Sequence, residues 1–414
     1  MFLFCLTLQL IIKQQIVVTK LSNDIIKWIE EHRNDDTTKL RLSCRKKDDA
    51  TIYDFAIMQI ECRKKAAKKL SQTLQFASFI FPTSLSAEQC TSDDLAKFHA
   101  SLINEGETIL DMTAGLGIDA FHLAQKAKHV TAIDLNSDVA EALSINANVL
   151  GLNNFTAISA DSVEYIKNST EHFDTIFIDP ARRGDGGKRL FALADCQPNI
   201  VELLDCVKTH CNKLIVKASP MLDATQVLRE LPETTDLYAI GTRQECKEIV
   251  AVADFKNPKI SPTLHCVTID DKTSDFSFTI DDESSATNNY GEIHEGMYIY
   301  EPHPAIMKLQ PFKLLSQHFN AIKLHQHTHI YTSTQIIPDF PGDCYKIAKI
   351  YPFSSRVAKE VVKDYPRANV AVRNFVLSAD ELRKRLKIKD DNKYRLYGVT
   401  SSNDYRILIV STPV

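Results

Sequence analysis

The stretch Thr108-Ile-Leu-Asp-Met-Thr-Ala-Gly-Leu-Gly-Ile-Asp-Ala-Phe-His-Leu-Ala124 decides the fold. Its apolar start predicts a short buried strand that ends at Asp111, then a tight turn and a helix that begins near Asp119. Gly115 and Gly117 lie in the turn, where a residue without Cβ allows positive φ and lets a ligand approach the backbone. Ligands of open parallel sheets bind where strands end and helices begin, so a nucleotide-like cofactor is expected at this turn.

Three later stretches repeat the pattern of an apolar strand that ends in an acid. They are His129-Val-Thr-Ala-Ile-Asp134, Phe155-Thr-Ala-Ile-Ser-Ala-Asp161 and Phe173-Asp-Thr-Ile-Phe-Ile-Asp179. A carboxylate about 20 residues beyond the glycine turn, as at Asp134, is placed to accept hydrogen bonds from ribose hydroxyls. A glycine turn alone also occurs for purely structural reasons, but four strands that each bring an acid to one edge indicate a cofactor site.

Class I S-adenosylmethionine-dependent methyltransferases resemble this chain in the succession Asp111-x-x-x-Gly-x-Gly, Ile-Asp134-Leu-Asn, Ala-Asp161-Ser and Asp179-Pro-Ala-Arg. Nicotinamide-dependent Rossmann enzymes are the competing family, but their turn reads Gly-x-Gly-x-x-Gly, with Ala120 here at the third glycine position, which that pattern tolerates. Asp111 discriminates, because an acid ahead of the glycines suits a cationic amino acid end better than a pyrophosphate. The sequence has no Gly-x-x-x-x-Gly-Lys-Ser/Thr loop, so an NTPase is not indicated.

The resemblance implies a role for each residue at this edge. It implies that the methionine end of S-adenosylmethionine is lined by Asp111, Thr113, Gly115 and Gly117. It implies that Asp134 binds the ribose, that Asp161 and Ser162 contact the adenine, and that Leu135 is a further cofactor-binding residue.

The polar segment ahead of the first strand, Ser86-Ala-Glu-Gln-Cys-Thr-Ser-Asp93, supplies two further candidates. In some class I members such a segment packs over the cofactor, which implies that Glu88 and Gln89 reach the methionine. A helix cap at Thr91 or Ser92 explains the same segment equally well.

The chemistry is expected after the fourth strand, at Asp179-Pro-Ala-Arg182. Class I enzymes that methylate exocyclic amines carry Asp/Asn-Pro-Pro-aromatic there, and the acid accepts the amine hydrogens so that the lone pair faces the methyl group. This chain keeps Asp179 and Pro180, but Ala181 and Arg182 replace the second proline and the aromatic base-stacking platform. We therefore expect Asp179, beside Pro180, to orient the acceptor atom, and Arg182 and Arg183 to contact substrate phosphate.

Asp-Pro-Ala-Arg followed by glycine is also close to the pattern of RNA uracil-C5 methyltransferases. Those enzymes need a cysteine nucleophile on the next strand, in a Ser-Cys-Asn-Pro setting. The corresponding stretch here is Lys217-Ala-Ser-Pro220, with Ala218 where the thiol would be. Without a thiolate, C5 is not activated covalently, so methylation at uracil C5 is not expected.

As a whole, the chain resembles a bacterial group of class I methyltransferases, of the Bacteroidetes type, with a THUMP-like domain at the C-terminus. The resemblance spans nearly everything after residue 20, including Lys217-Ala-Ser-Pro-Met-Leu-Asp223, Tyr300-Glu-Pro302 and Val372-Arg-Asn-Phe375. It implies a Rossmann-like α/β sheet of seven strands with an antiparallel last strand, followed by ferredoxin-like and THUMP-like α+β modules. THUMP domains commonly bind tRNA, so RNA is the expected partner.

The chain length indicates more than one domain, and the resemblance implies what the C-terminal modules are. A chain of 414 residues exceeds what one core of roughly 250–300 residues holds. We predict a mainly helical region over 1–94, a methyltransferase domain over 95–256, a ferredoxin-like module over 257–338 and a THUMP-like domain over 339–414. The stretch 257–290 is polar and poor in strands, and we interpret it as turns in the hairpin-rich start of a second domain.

Composition and charge narrow the class of protein. A net charge of −4 argues against a uniformly basic nucleic-acid binder but permits local basic patches. Ten cysteines without a Cys-x-x-Cys pair predict reduced cytoplasmic thiols rather than disulfides or a zinc site. The apolar start over 1–12 is too short to cross a bilayer and lacks a basic n-region and a cleavage site, so neither a membrane segment nor a signal sequence is predicted.

Two basic segments, 60–70 and 381–389, are candidate RNA contacts outside the catalytic domain. The second follows a capping-box spacing at Ser378-Ala-Asp-Glu381, which predicts a helix start. Either charge run also fits a solvated helix face. The predicted phosphate contacts of the whole chain are Arg182, Arg183, Lys64, Lys68, Arg383 and Arg385.

His325-x-His-x-His329 invites a metal hypothesis, because period two on a strand puts all three imidazoles on one face. No carboxylate pattern accompanies them, so we favour the polar face of an edge strand and predict no metal.

The sequence thus predicts an enzyme that transfers the methyl group of S-adenosylmethionine to a base of tRNA or rRNA. Two alternatives stay open: a methyltransferase that acts on a protein or small molecule, and a non-catalytic RNA-binding protein with a vestigial cofactor site. The oligomeric state is not predicted.

Overall fold

The structure, a computed structural model, describes residues 21–44, 50–182, 192–270, 272–354 and 356–414, without the side chains of Arg182 and Asn403. The apolar start over 1–12 lies outside the described residues. The chain forms two compact units: one extends to residue 218 and adds 225–234 and 251–258, and the other comprises 219–224, 235–250 and 259–414.

The region ahead of the first strand is helical, as predicted. Ser22 caps its first helix by accepting a hydrogen bond from the Ile25 amide at 3.3 Å, which leaves fewer orphan N–H groups at that end. The helices are α1 Asn23–Glu31, α2 Thr37–Cys44, α3 Ala50–Ala66, α4 Ser84–Gln89 and α5 Asp93–Ser101.

A nine-stranded sheet follows, and five helices alternate with its strands. The helices are α6 Ile118–Ala124, α7 Ser137–Val149, α8 Ser162–Asn168, α9 Ile200–His210 and α10 Ala224–Glu230. The strands of this part of the chain are β1 Thr108–Asp111, β2 His129–Asp134, β3 Phe155–Ser159, β4 Phe173–Ile178, β5 Ala181–Arg182, β6 Cys196–Gln197, β7 Cys211–Ala218, β8 Asp236–Gly241, β9 Cys246–Asp254, β10 Thr263–Thr268 and β11 Ser274–Thr279.

The order of the large sheet is β11-β10-β8-β9-β7-β4-β1-β2-β3, and β5 pairs with β6 separately. Strand β1 runs parallel to β2 and β4, with Asp111 opposite Ala132 and Phe177. Strand β9 neighbours β8 after a connection of only four residues, 242–245, and parallel strands need a crossover of a dozen or more, so β9 is antiparallel, as the resemblance implied.

The prediction that 257–290 is poor in strands is wrong. Two strands, β10 and β11, form an antiparallel pair there, and β10 runs parallel to β8, so the sheet has nine strands rather than seven. Only the first part of β10 alternates, with Leu264 and Cys266 buried, and Phe278 is the buried residue of β11. The acidic and Ser-rich flanks masked this short alternation, since β10 and β11 gain their stability from pairing rather than from composition.

A second sheet fills the C-terminal part of the chain, in the order β12-β14-β15-β13-β16-β19-β18-β17. Its strands are β12 Asn289–Tyr290, β13 Tyr298–Pro302, β14 Ile322–His325, β15 Thr328–Ser333, β16 Gly342–Pro352, β17 Asn369–Arg373, β18 Arg395–Thr400 and β19 Arg406–Pro413. The helices here are α11 Ile280–Ser285, α12 Pro304–Leu309, α13 Phe312–His318, α14 Val357–Asp364 and α15 Ala379–Leu386.

Helix α15 begins at the predicted capping box. The Ser378 hydroxyl accepts from the Glu381 amide at 3.3 Å, and the Glu381 carboxylate accepts from the Ser378 amide at 2.8 Å. The helix buries Leu382 and Leu386 in a core shared with Leu396 of β18. The boundaries at 94, 256 and 338 stay predictions, because the two sheets do not by themselves divide the chain at those residues.

Among the described residues, no helix is both long enough and apolar enough to cross a membrane.

A buried segment without a strand partner joins the helical region to the large sheet. Phe79, Ile80 and Phe81 are all buried. The Asn146 amide on α7 accepts from the Ile80 N–H and donates to the Ile80 carbonyl, both at 2.8 Å. Gln59 on α3 does the same for Phe81, also at 2.8 Å. Two side-chain amides therefore replace the ladder that a sheet would supply.

We expect Asn146→Leu to lower the free energy of unfolding by about 2–4 kcal/mol, because it leaves a buried N–H and a buried carbonyl without partners. Urea denaturation measures this loss. Asn148→Leu, on an exposed turn of the same helix, is the matched control, with a change within about 0.5 kcal/mol. Equal losses in the two variants would show that the amide pairing is not what holds the segment.

Candidate functional site

The glycine turn joins β1 to α6, and its two glycines have different functions. Both have positive φ, +53° at Gly115 and +88° at Gly117. A Cβ on Gly117 would lie 2.4 Å from Leu143 Cδ2 and 2.7 Å from the Phe121 ring, so that glycine is required by packing. A Cβ on Gly115 would meet nothing closer than the Thr113 carbonyl oxygen at 4.0 Å. The turn is therefore open to a ligand at Gly115.

Asp111 ends β1 and is buried beneath the turn, with 1% of its surface exposed. Its Oδ1 accepts a hydrogen bond from the Thr113 amide at 3.0 Å. Burial raises the pKa of Asp111 to about 8, and the charges of Asp119 and Asp179 act in the same direction, against the Thr113 amide and Lys217. A carboxylate in this setting favours a cationic ligand group, because an added positive charge would stabilise its ionised form.

Asp134 links the end of β2 to the same turn. Its Oδ2 accepts from the Gly115 amide at 3.2 Å and its Oδ1 from the Asn136 amide at 2.8 Å. Burial raises its pKa, and the two amides oppose the rise. The next side chain, Leu135, is 76% exposed, which offers an apolar surface beside the carboxylate.

Asp161 caps the helix that follows β3. Its Oδ1 accepts from the amides of Val163 at 2.8 Å and Glu164 at 3.3 Å, and Ser162 is the first residue of α8. One carboxylate oxygen of Asp161 is thus committed to the helix start.

The structure pairs Glu88 with a lysine rather than with the glycine turn. Glu88 Oε1 lies 2.6 Å from Lys65 Nζ, and both this carboxylate and Gln89 are exposed at the end of α4. The hydrogen bond and charge of Lys65 lower the pKa of Glu88. Over the part of the chain that the structure describes, no hydrogen bond joins Glu88 or Gln89 to the turn, and their contact with a cofactor stays a prediction.

Asp179 follows β4 and lies against the glycine turn. Its amide donates to Thr113 Oγ1 at 2.7 Å, and its carboxylate Oδ2 lies 2.8 Å from Lys217 Nζ. The side chain is 48% exposed, whereas Pro180 is buried. The backbone of Arg182 pairs with Cys196 in the short β5–β6 ladder. The side chain of Arg182 and all of Arg183 lie outside the described residues, so their predicted phosphate contacts are not tested.

A buried cluster of charges beneath the turn was missed from the sequence. Lys217 Nζ lies 3.0 Å from Asp119 Oδ2, and the other oxygen of Asp119 lies 2.7 Å from His99 Nδ1. Thr91 Oγ1 donates to Asp119 at 2.6 Å. Burial opposes the charged form of Asp119, but Lys217 and His99 outweigh it and hold the pKa of Asp119 well below its usual range.

A signal for this cluster was present in the sequence. A lysine at the end of an apolar strand and an acid in the first turn of an apolar helix are both unusual in buried positions, where charges occur in pairs. Lys217 and Asp119 lie about a hundred residues apart, on β7 and α6, so neither local stretch shows that they pair.

The cations of the predicted basic segments are largely engaged within the chain. Lys64 Nζ donates to the Asp35 carbonyl at 2.6 Å. Arg383 lies 2.6 Å from both Asp380 and Asp390. Arg385 is placed over the Phe353 ring at 5.1 Å, and Lys68 is exposed at the end of α3. Their contact with RNA stays a prediction.

The three histidines do not share one strand, so that interpretation is wrong. Strand β14 ends at His325, β15 begins at Thr328, and His327 lies in the turn between them. His325 Nε2 lies 3.2 Å from Asp404, and His329 stacks on Phe312 at 3.6 Å. Within the described ranges, no three His, Cys, Asp or Glu side chains come together as metal ligands.

Family models match three parts of the chain. A model described as conserved hypothetical protein 95 matches residues 93–188, which contain the glycine turn and Asp179. A ferredoxin-like domain matches 298–341 and a THUMP domain-like family matches 342–413.

Known proteins match it over different lengths. The crystal structure of a candidate methyltransferase from Porphyromonas gingivalis W83 is 29% identical, covers 94% of this chain and 98% of its own, and superposes with a TM-score of 0.84. An uncharacterized S-adenosylmethionine-dependent methyltransferase from Mycobacterium tuberculosis is 23% identical over 79% of this chain and 87% of its own. An uncharacterized RNA methyltransferase from Mycoplasma mobile is 28% identical over 41% of this chain, which spans about half of that relative's length, 47%.

Shorter matches extend to uracil-C5 methyltransferases of tRNA and 23S rRNA, of which the chain spans about a third of the length. The Porphyromonas and Mycobacterium proteins, which match over most of both chains, carry no RNA in their names. By these matches the chain is similar to S-adenosylmethionine-dependent methyltransferases, and its C-terminal part matches a ferredoxin-like and a THUMP-like domain.

Proposed function

We propose that this enzyme transfers the methyl group of S-adenosylmethionine to a base of tRNA or rRNA in the cytoplasm. The observation that carries the proposal is the half-exposed carboxylate of Asp179, which is fastened to the glycine turn of a methyltransferase sheet in a chain that also has a THUMP-like domain over 342–413. The RNA methyltransferase from Mycoplasma mobile supports the choice of RNA.

The residues at the turn suit S-adenosylmethionine, which when bound supplies an electrophilic methyl group on a sulfonium. The buried Asp111 faces a ligand with a cationic amino group, and its small exposed fraction, 1%, means that its charge acts across the turn. The open side of Gly115 admits the ligand to the backbone. Thr113 and Gly117 lie in the same turn as Gly115, so we assign them to the methionine end of the cofactor as well.

The nucleoside part is assigned to the next two strand ends. Asp134 binds the ribose hydroxyls, since its position after β2 is that of the ribose-binding acid in Rossmann-like folds. Leu135 packs on the adenine with its exposed side chain. Asp161 and Ser162 contact the adenine edge, with the Asp161 oxygen that does not cap α8.

Asp179 orients the acceptor. Its amide is held by Thr113 at 2.7 Å and one carboxylate oxygen by Lys217 at 2.8 Å, so the carboxylate presents a fixed acceptor for an N–H or O–H of the substrate. Holding the acceptor atom in line with the methyl group is a contribution of proximity and orientation. Pro180 stiffens the chain after Asp179, and Arg182 steers a phosphate.

The acceptor that we propose is a nitrogen or oxygen rather than uracil C5. Strand β7 ends in Ala218 where uracil-C5 enzymes place their nucleophile. The cysteine of that strand, Cys211, lies at its other end, and burial raises the pKa of its thiol to about 12, so it does not supply a thiolate at neutral pH.

RNA contacts outside the catalytic domain are assigned to the THUMP-like domain and to exposed cations, of which Lys68 and Arg385 are the clearest candidates. Lys64 and Arg383 already have partners in the chain, and they bind RNA only by exchanging those partners for phosphate.

The first test is transfer of labelled methyl groups from S-adenosylmethionine to total RNA and, in parallel, to total protein, with Asp179→Ala as control. We expect label in RNA that disappears in the variant, and tRNA binding that weakens more than about tenfold between 50 and 200 mM salt. Label in protein alone would move the assignment to a protein methyltransferase. Bound cofactor without transfer would indicate a non-catalytic RNA-binding protein.

Asp111→Asn separates stability from cofactor binding. The folded pKa of about 8 lies above the ordinary value of 3.8, so the wild type loses stability as pH rises between these values. From pH ~5.5 to ~8.5, we expect the wild type to lose about 3 kcal/mol more unfolding free energy than the variant. We also expect the variant to bind S-adenosylmethionine about tenfold more weakly. Urea denaturation at both pH values and calorimetry measure the two effects. A parallel pH dependence in the two proteins would contradict the assignment.

Asp134→Ala tests the ribose assignment. We expect the dissociation constant of S-adenosylmethionine to rise on the order of tenfold to a hundredfold, because a charged hydrogen-bond acceptor contributes about 1.5–3 kcal/mol. Calorimetry measures the affinity, and Asp138→Ala in the first turn of α7 is the control, with unchanged binding. Retained affinity in Asp134→Ala would remove Asp134 from the site.

A further inference from the structure

Lys217 has three oxygen partners in a buried position. Its Nζ lies 3.0 Å from Asp119, 2.8 Å from Asp179 and 2.8 Å from Thr91 Oγ1. Two of the partners, Asp119 and Thr91, are buried or half-buried, and the third is the half-exposed carboxylate that faces the substrate side.

Burial of the Lys217 ammonium does not by itself require the contact with Asp179. A buried ammonium needs a countercharge, and Asp119 supplies it. Lys213 on the same strand shows the minimal arrangement: its Nζ lies 3.2 Å from Glu107 and 3.2 Å from the Leu102 carbonyl, at the opposite end of β7. Lys217 differs because it extends the buried pair to a group that takes part in the reaction.

The anchor of Lys217 is itself rigid. Asp119 lies in the first turn of α6, directly after the glycine turn, and its second oxygen contacts the fully buried His99 of α5. The ammonium is therefore fixed relative to the turn that holds the cofactor. The Asp179 backbone is fixed to the same turn through Thr113 Oγ1. Two independent contacts thus set the amide and the carboxylate of Asp179.

We propose that Lys217 is a positioning residue for methyl transfer: anchored on Asp119, it holds Oδ2 of Asp179 so that Oδ1 accepts a hydrogen bond from the N–H or O–H of the substrate atom that receives the methyl group. The inference rests on the proposed role of Asp179 and extends it to the group that aims this carboxylate. Lys217 itself does not contact the substrate.

The test uses the full-length protein, labelled S-adenosylmethionine at saturation and total RNA, with the rate and the cofactor affinity measured separately. We expect Lys217→Met to lower the rate about tenfold to a hundredfold, since a displacement of about 1 Å at a reacting group has effects of that size. Cofactor affinity changes by less than about fivefold. Lys217→Arg keeps the buried charge, so it preserves folding, but its planar donors do not reproduce the three contacts, and the rate falls as well.

Two comparisons distinguish positioning from a merely structural role. In a double-mutant cycle, Lys217→Met added to Asp179→Asn lowers the rate by less than about threefold further, because both changes remove the same contact. Lys213→Met removes a buried ion pair from the same strand and serves as the matched control: it lowers the melting temperature but leaves the rate per cofactor-binding protein within about threefold.

The outcomes separate the two proposals. Additive effects in the cycle, or equal rates in Lys217→Met and Lys213→Met, would overturn the role of Lys217 while label in RNA still supports the function. If the wild type labels protein instead of RNA, the proposal that RNA is the substrate is wrong. The same double-mutant cycle, measured on the labelling of protein, then decides the role of Lys217. A wild type that labels neither would overturn both.

Discussion

The parallel pairing of β1 between β2 and β4 is the constraint on which the site depends. Parallel strands in register end at one edge, so residues that follow β1, β2 and β4 meet there although up to about seventy positions separate them. The hydrogen bonds from Gly115 to Asp134 and from Asp179 to Thr113 then fasten neighbouring ends together. A shift of register by one residue would turn these side chains to the other face of the sheet.

Carboxylates outnumber cations among the described residues at this edge, which makes the site favourable for a cationic ligand. Asp111, Asp119, Asp134 and Asp179 bring four carboxylates, and the described part of the chain places Lys217 among them. Lys217 serves Asp119 and Asp179, so Asp111 keeps a raised pKa in a buried position. In the proposed function, a cationic cofactor relieves this unfavourable burial, and binding recovers the stability that the free protein gives up there.

The sequence predicted this edge because its information is local. One continuous stretch contains the four-residue strand, its terminal acid and the glycine turn. Few structures other than the edge of an α/β sheet fit that succession. Lys217–Asp119 and the strands β10 and β11 were not predicted, because each depends on a partner far along the chain. The same applies to Glu88: a local motif suggested a ligand for the cofactor, whereas the fold brought Lys65 to it.

The two basic segments, 60–70 and 381–389, show a second limit of prediction from the sequence. A run of cations predicts exposure, but not what the cations contact once the chain has folded. Carbonyl oxygens, carboxylates and an aromatic ring engage Lys64, Arg383 and Arg385. With a net charge of −4, the chain has no general attraction for a polyanion. RNA binding in the proposed function must then rest on a few cations and on the shape of the THUMP-like domain, so it selects the orientation of the substrate more than it adds affinity.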